Sequence, residues 1–460
     1  MDGEAAAAAT NEDRGAKREL GRRTVHIAMG GFAFLLAYLN WWQVALCALA
    51  ALLFNLLVLP RIGGRALFRG EARRAGADRG IVLYPLSVLA LVLIFPRHLE
   101  VVAAAWALLA FGDGLAGAFG IAFGRLTGPL PWNRRKSWAG LVGFLLGGGP
   151  MAVALAGFVL RDAGPLSSYS LWAIGVVTAI VALAETAPLR TDDNLVVPLL
   201  GGALLYAATL VQPMNLAAAA RTLFAPRLPW VVGGVVVCML LALVARAVDL
   251  SGAAHGSILA LGLGVCGGWR LFAALAIFVL VGSAATRLRR KEKEREGTAQ
   301  ERGGRRGARN VWANGGAALV FAFLSATAEP ASVFMLAAVA ALAAATADTL
   351  ASEIGQAFGR RTVLITTFRP CPRGTDGGVS LAGTLAAAGG AALFAVGAFA
   401  TRTTTARGAL FIGLAAFAAP MVESVIGALF ERRFLDNEVV NVANTLVGAL
   451  GAVGLALWTI

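Results

Sequence analysis

Acidic and basic residues recur at matched spacing in two stretches of an otherwise apolar chain. Residues 112–125 read GDGLAGAFGIAFGR and residues 347–360 read ADTLASEIGQAFGR, with eight of fourteen positions identical. Asp113 matches Asp348, and Phe123-Gly124-Arg125 matches Phe358-Gly359-Arg360. The echo continues in order: Ser137-Trp138-Ala139-Gly140 returns as Ser380-Leu381-Ala382-Gly383, Glu185-Thr186 as Glu423-Ser424, and Asp193-Asn194 as Asp436-Asn437. A repeat of this length means two copies of one domain. An ionisable residue at membrane depth costs at least ~2.5 kcal/mol, which makes each repeated acid a candidate functional residue.

The chemistry these residues suggest is phosphoryl transfer. In the first copy the acid is followed by Arg125 and by a polar loop ending Asn133-Arg134-Arg135-Lys136-Ser137. Ser137 is placed to cap a new helix, whose first backbone N–H groups and dipole attract anions. In the second copy Arg360 precedes a loop carrying Arg373, Gly374, Gly377 and Gly378. The glycines there allow amides to curl into a phosphate-binding nest. Downstream acids follow in both copies, Asp192-Asp193-Asn194 and Asp436-Asn437-Glu438. Carboxylates to hold Mg²⁺ (Asp113, Asp193, Asp348 and Asp436), cations and amides to hold phosphates, and an apolar wall are the parts of transfer onto a lipid. Asp348 and Glu353, within about a turn and a half on one helix, are expected to organise metal together. Asn310 and Asn314 lead another span and are expected to line a pocket. His26 either faces the first site or caps its helix, and the role of His255 stays open. There is no GxxxxGK[ST] loop, so this is not a P-loop enzyme.

The elements that must position these residues are membrane helices. The chain is 58% hydrophobic and 14% charged, which soluble domains of 460 residues are not. A net charge of +14 would suggest nucleic acid in a soluble protein; here basic loops on one side of a membrane account for it, and no nucleic-acid partner is expected. The four cysteines have no metal or disulfide spacing. Apolar runs predict an all-α polytopic protein of about fifteen transmembrane helices, as two parallel-duplicated bundles, seven plus one plus seven. The span over 254–268 is short and could be re-entrant with its neighbour over 271–286. With a cytoplasmic N-terminus, the Arg-rich loops 61–79, 125–136, 287–309 and 360–373 fall on the cytoplasmic side, as the positive-inside rule requires. The expected organisation is an N-terminal tail over 1–23, a first membrane domain over 24–212, a connecting segment with one span over 213–250, and a second membrane domain over 251–460. The second domain carries the basic loop 287–309, a solvated segment or one that meets anionic lipid.

Two families share these motifs. Arg22-Arg23-x-x-His26, Gly112-Asp113-Gly114 through Gly124-Arg125, Lys136-Ser137-x-x-Gly140 and Asp192-Asp193-Asn194-x-x-Val197-Pro198 resemble the phytol kinase/dolichol kinase group. Asp249-x-Ser251-Gly252, Arg309-Asn310-Val-x-Ala-Asn314, Asp348-Thr-x-Ala-Ser352-Glu353-x-Gly355, Pro372-Arg-Gly-Thr-Asp-Gly-Gly378 and Asn437-x-x-Val-Asn441 resemble the transmembrane-protein-19-like family, whose plant members act as phytyl-phosphate kinases. The second copy departs from the first in having no Lys before Ser380. The joint resemblance implies a fusion in which an isoprenoid alcohol becomes its monophosphate and then its diphosphate. It also implies CTP as co-substrate with Mg²⁺.

The expected sites follow. Asp113, Lys136, Asp192, Asp193, Asp348 and Glu353 are catalytic candidates. Arg125, Arg135, Ser137, Asn194, Arg360, Arg373, Gly374, Gly377, Gly378, Asn310, Asn314, Asp436 and Asn437 are binding candidates. The expected location is a prokaryotic plasma membrane, with the active-site loops cytoplasmic. The expected partners are a nucleoside triphosphate, a lipid-soluble isoprenoid alcohol and its monophosphate. Two rival functions are an isoprenoid-phosphate transporter or flippase, since duplicated membrane halves are common in transporters, and a lipid-phosphate cytidylyltransferase.

Overall fold

Helices that are apolar around most of their circumference have to be covered by lipid or by each other, and helices make up nearly all of this computed structural model. It describes residues 21–62, 79–297, 305–430 and 435–458. The tail before residue 21, the centre of the 61–79 loop, the linker stretch 298–304 and the segment 431–434 lie outside the described residues. The chain divides into two compact units, Met1–Thr209 and Leu210–Ile460. Among the described residues, eleven helices are long and apolar enough to cross a membrane. The expectation of about fifteen spans therefore also draws on the shorter or more polar segments over 21–37, 79–94 and 308–327, and on a helix that reverses direction.

In the first unit, α1 (21–29) runs on as a 3₁₀ turn over Gly30–Ala37 and is followed by α2 (Trp41–Leu53) and α3 (Arg79–Ile94). Next come α4 (Leu99–Thr127) and a short antiparallel hairpin, β1 (Pro129–Leu130) with β2 (Asn133–Ser137). Helices α5 (Trp138–Val159), α6 (Ser168–Glu185) and α7 (Asp193–Leu210) complete it. The second unit begins with α8 (Pro213–Val244), α9 (Leu250–Arg287) and the small helix α10 (Arg290–Arg295). After α11 (Ala308–Thr327) and α12 (Ala331–Phe358) comes a second hairpin, β3 (Thr362–Leu364) with β4 (Gly378–Ser380). Helices α13 (Leu381–Ala400), α14 (Ala406–Phe430) and α15 (Asn437–Trp458) follow. A long helix, a hairpin and three helices thus recur in the same order.

Local chemistry explains the boundaries. Ser137 Oγ accepts from Gly140 N at 3.1 Å and Ser380 Oγ from Gly383 N at 3.2 Å, so each hairpin ends on an N-cap that starts the next helix. Asp249 caps α9 through Gly252 N at 2.8 Å. Gly268, with φ 70° and ψ −165°, breaks α9 in its middle. A Cβ on Gly252 would lie 2.0 Å from Arg306 O, and one on Gly282 2.2 Å from Arg306 Nη2. On a straight helix those glycines would be roughly 45 Å apart. The chain therefore turns back at Gly268, and the runs over 254–268 and 271–286 are two arms of a hairpin.

The helix carrying the repeated aspartate is the most enclosed of its unit, with 78% of the apolar window buried in α4 and 67% in α12. Small residues make this enclosure possible. A Cβ on Gly147 of α5 would stand 2.6 Å from Phe111 O, and one on Gly383 of α13 2.6 Å from Ala351 O. Close helix contact thus packs the aspartate helix against the helix after the hairpin in each unit. Both helices run on past the acid, by roughly four turns after Asp113 and three after Asp348, so neither carboxylate lies at a helix end.

Candidate active sites

The first site gathers side chains from six elements: α1, α3, α4, the first hairpin, α6 and α7. Asp113 closes a π turn, Leu108–Asp113, inside α4, a distortion often found at functional sites. The Leu109 carbonyl in that turn accepts from His26 Nε2 at 2.9 Å, and the same ring nitrogen lies 3.5 Å from Asp113 Oδ2. His26 is held edge-on by Tyr84, with centroids 4.9 Å apart. Arg23 Nη1 reaches Asp113 Oδ2 at 3.3 Å. The hairpin is fixed to the end of α6, because Trp132 Nε1 and Asn133 Nδ2 donate to the Thr186 hydroxyl and carbonyl at 3.0 Å each. That anchorage delivers Lys136 to Glu185, to which it ion-pairs, and to Asp193 Oδ2 at 2.9 Å.

Oxygen atoms of Asp113, Glu185 and Asp193 all lie within 4.8 Å of one another. Burial works against the charge on Lys136, but the Asp193 and Glu185 carboxylates outweigh it and hold its pKa above the ordinary lysine value. Asp192 Oδ1 accepts from both the backbone and the side-chain nitrogen of Asn194, at 2.9 and 2.7 Å. That leaves Asn194 Oδ1 buried with no hydrogen-bond partner. Three carboxylates and an orphaned amide oxygen are hard donors, the set Mg²⁺ favours, so these residues fit the metal expected here. Asp113, Asp193 and Asn194 line a cavity of about 510 Å³ whose lining also includes Arg22, Arg135 and Arg190.

The second site is a cavity of about 210 Å³ in the second unit. Asp348, Glu423, Asp376 and Asn437 line it, with Arg373 as its one lining cation. A hydrogen bond links the Asp348 and Glu423 carboxyl groups. Gly374 and Gly377 take positive φ, 74° and 75°, which gives the loop its curl. The amides of Thr375 and Gly378 are used within the loop, donating to Pro372 O at 3.3 Å and Thr375 O at 2.8 Å, so only part of the expected nest can face an anion.

Several sequence expectations need correction. Glu353 does not join Asp348. Five residues along an α-helix rotate a side chain by roughly 140°, and that angle, rather than axial distance, decides who meets. Glu353 points away from the cavity and is 2% exposed, ion-paired to Lys293 Nζ at 2.5 Å and accepting from Thr286 Oγ1 at 3.0 Å. Arg306 stands nearby with its guanidinium 4.5 Å over Phe278. Burial lowers the Arg306 pKa to about 10, against the opposing pull of Glu353. Arg125 and Arg360 are exposed and line neither cavity. Asn310 and Asn314 are likewise outside the lining, with Asn314 Nδ2 donating to Asn310 O at 2.9 Å. Ser137 caps its helix, and Asp436 is buried just beyond the cavity that Asn437 lines.

The structure does bring together Asp113, Lys136, Asp193, Asn194, Asp192 and Arg135 in one place, and Asp348, Arg373, Gly374, Gly377, Gly378 and Asn437 in the other. Sequence reasoning left Glu185 and Glu423 off the candidate residues, although the Glu185-Thr186/Glu423-Ser424 echo carried the signal. Five Arg or Lys residues line the first cavity, and one lines the second.

The Lys293–Glu353 pair makes a prediction of its own. Removing one partner of a buried ion pair typically costs about 3–5 kcal/mol, because the other charge is left unpaired. Lys293→Met is expected to lower thermal stability in detergent steeply. The double change Lys293→Met/Glu353→Met is expected to recover most of the loss. Equal stability for the single and double variants would mean the pair is not formed in the membrane.

Comparison with known proteins bears on both units. Residues 233–449 match the family described as Integral membrane protein DUF92. An uncharacterized membrane protein of Synechocystis is 40% identical over 235 residues, 49% of this chain and 91% of the relative. Protein VTE6, chloroplastic, of Arabidopsis thaliana is 39% identical over 191 residues, 40% of this chain and 57% of the relative. Phytol kinase 1, chloroplastic, also of Arabidopsis thaliana, is 28% identical over 204 residues, 40% of this chain and 64% of the relative. The chain thus spans less than two thirds of the length of each of these two plant relatives. No solved structure matches the chain.

Proposed function

The chain belongs to the integral membrane protein DUF92 family, and from that premise we propose that it is a bifunctional membrane kinase. Its first unit phosphorylates an isoprenoid alcohol such as phytol or geranylgeraniol. Its second unit phosphorylates the resulting monophosphate to the diphosphate. CTP is the donor in this reading, and both sites open to the cytoplasmic side of a prokaryotic plasma membrane. One observation carries it: an aspartate on the enclosed helix meets a glutamate two helices later beside a cation-bearing hairpin loop, and the arrangement occurs in both units. The similarity to a protein named phytol kinase points to the acceptor class.

In the first unit, Asp113, Glu185, Asp193 and Asn194 would hold Mg²⁺, which when bound supplies charge neutralisation for the donor phosphates. Lys136 and Arg135 stand on the hairpin and Arg22 and Arg23 on α1, so positive charge lines two sides of the cavity. That charge holds the triphosphate and stabilises the oxygens of the transferred group. The alcohol oxygen attacks the terminal phosphorus, the bond to the bridging oxygen breaks, and the nucleoside diphosphate leaves. The hydroxyl proton passes to a carboxylate of the cluster. In the second unit Arg373 and the Gly374–Gly377 turn meet phosphate, and Asp348 with Glu423 carries the acidic part.

A transporter would place its polar site near mid-bilayer between repeats. Here each polar cavity lies within one unit, next to a hairpin rich in cations or glycine, which favours a soluble phosphate donor. The test is to incubate the purified chain with Mg²⁺, labelled CTP and phytol, geranylgeraniol or farnesol, and to resolve the products. Labelled mono- and diphosphate with CDP released is the expected result. Pyrophosphate release would identify a cytidylyltransferase, and no turnover with any alcohol or nucleotide would remove the kinase reading.

A further inference from the structure

We propose that Lys136 is a resident counter-cation of the first site, exchanged for a divalent metal ion, and that the exchange turns the lysine into a phosphate ligand. The proposal rests on the metal-dependent kinase reading above and adds an order of events to it. Three carboxylates with oxygens inside 4.8 Å repel one another strongly unless cations lie among them. Two cations are built in: Arg23 on Asp113, and Lys136 on both Glu185 and Asp193. Lys136 is the less committed of the two. It sits on a hairpin at the cavity rim and its side chain keeps 30% exposure, against 18% for Arg23.

The orphaned oxygen of Asn194 is the second, independent sign of a ligand. The residue is 9% exposed, and its amide nitrogen is spent on Asp192, so the oxygen is turned away with no partner. A buried acceptor left unmade costs about 1–3 kcal/mol. No ammonium bound to two carboxylates needs this oxygen, whereas a divalent cation taking six oxygen ligands does. The metal and Lys136 compete for Glu185 and Asp193, because two cations in contact repel. Once displaced, the ammonium has the cavity beside Arg135 and Arg22 as its nearest polar space. Phosphate is then gripped by a lysine that becomes available only after metal has loaded. The second unit has Val379 where the first has Lys136, so this order is specific to the first transfer.

The experiment uses the full chain in detergent and reads Lys136 itself. The sequence has three other lysines, Lys17, Lys291 and Lys293, and the deeply buried Lys293 serves as an internal reference. Acetylation by an amine-reactive reagent, followed by mass spectrometry, is expected to rise several-fold at Lys136 on adding Mg²⁺ or Mn²⁺ and to stay constant at Lys293. Mn²⁺ binding, measured by electron paramagnetic resonance in an Asp348→Asn background, is expected to tighten by at least about tenfold in Lys136→Met, since a like charge in contact is removed. Lys136→Arg, which keeps a cation on the carboxylates, is expected to bind Mn²⁺ much as the parent does. Mn²⁺ that binds while Lys136 labelling is unchanged or falls overturns the exchange alone and leaves the kinase reading intact. Absence of Mn²⁺ binding in both the parent and Lys136→Met overturns the exchange and the metal-dependent reading together.

Discussion

Asp113→Asn is expected to abolish phosphorylation of the alcohol, with a loss of roughly 10³-fold or more in rate, while monophosphate supplied directly should still be converted. The substitution preserves shape and removes charge. Asp113 is one of three carboxylates that meet inside the first unit, and it is the one that holds Arg23 and faces His26. Without its charge the cluster keeps only Glu185 and Asp193, both already engaged by Lys136. In the proposed mechanism metal binding and the placing of Arg23 would fail together, so the effect is expected to fall on turnover more than on folding. Thermal unfolding checks the second half of that statement. A variant that stays folded and retains alcohol kinase activity removes Asp113 from the chemistry and with it the assignment of the first unit.

Much of this arrangement was legible before any coordinates. Apolar runs bounded by Arg-rich loops marked the helices, and the serines opening α5 and α13 act as N-caps because their position before an apolar run has one simple use. The repeat pointed to the two aspartates that line the cavities, since an acid returning in register is hard to explain by composition. What failed was azimuth. Glu353 and Asp348 share a helix, but on faces about 140° apart, and nothing in a helix apolar on all sides says which face meets a cavity. Arg125 and Arg360 failed for a related reason: the helix carries each past the site, and the hairpin then folds other residues back. Lys136 reaches the acidic cluster because Trp132 and Asn133 anchor the hairpin to Thr186, a tertiary bond no local pattern announces. The reversal at Gly268 was legible too, because the runs over 254–268 and 271–286, read as two spans or as a re-entrant pair, both need a turn between them.

Asp348→Asn is expected to make the proposed enzyme stop at the monophosphate, which should accumulate with alcohol kinase activity intact, while diphosphate formation falls by roughly 10²-fold or more. The second cavity differs from the first in the balance of charge along its walls: Asp348, Asp376 and Glu423 against Arg373 alone. In the two-step reading Asp348 and Glu423 would hold a cation that offsets this charge, so that phosphate can meet Arg373 and the glycine turn. Neutralising Asp348 removes half of that pair and leaves Arg373 and the glycine turn untouched, so the failure is in the second transfer only. Glu423→Gln is expected to give the same product pattern. Glu353→Gln supplies the contrast: its carboxylate is committed to Lys293 and Thr286, so it lowers stability and leaves the ratio of diphosphate to monophosphate unchanged in the folded fraction. If Asp348→Asn still forms diphosphate at the normal rate, the second unit is a binding module and the two-step reading falls. If Glu353→Gln rather than Asp348→Asn blocks the second step, the wrong face of α12 has been assigned to the site.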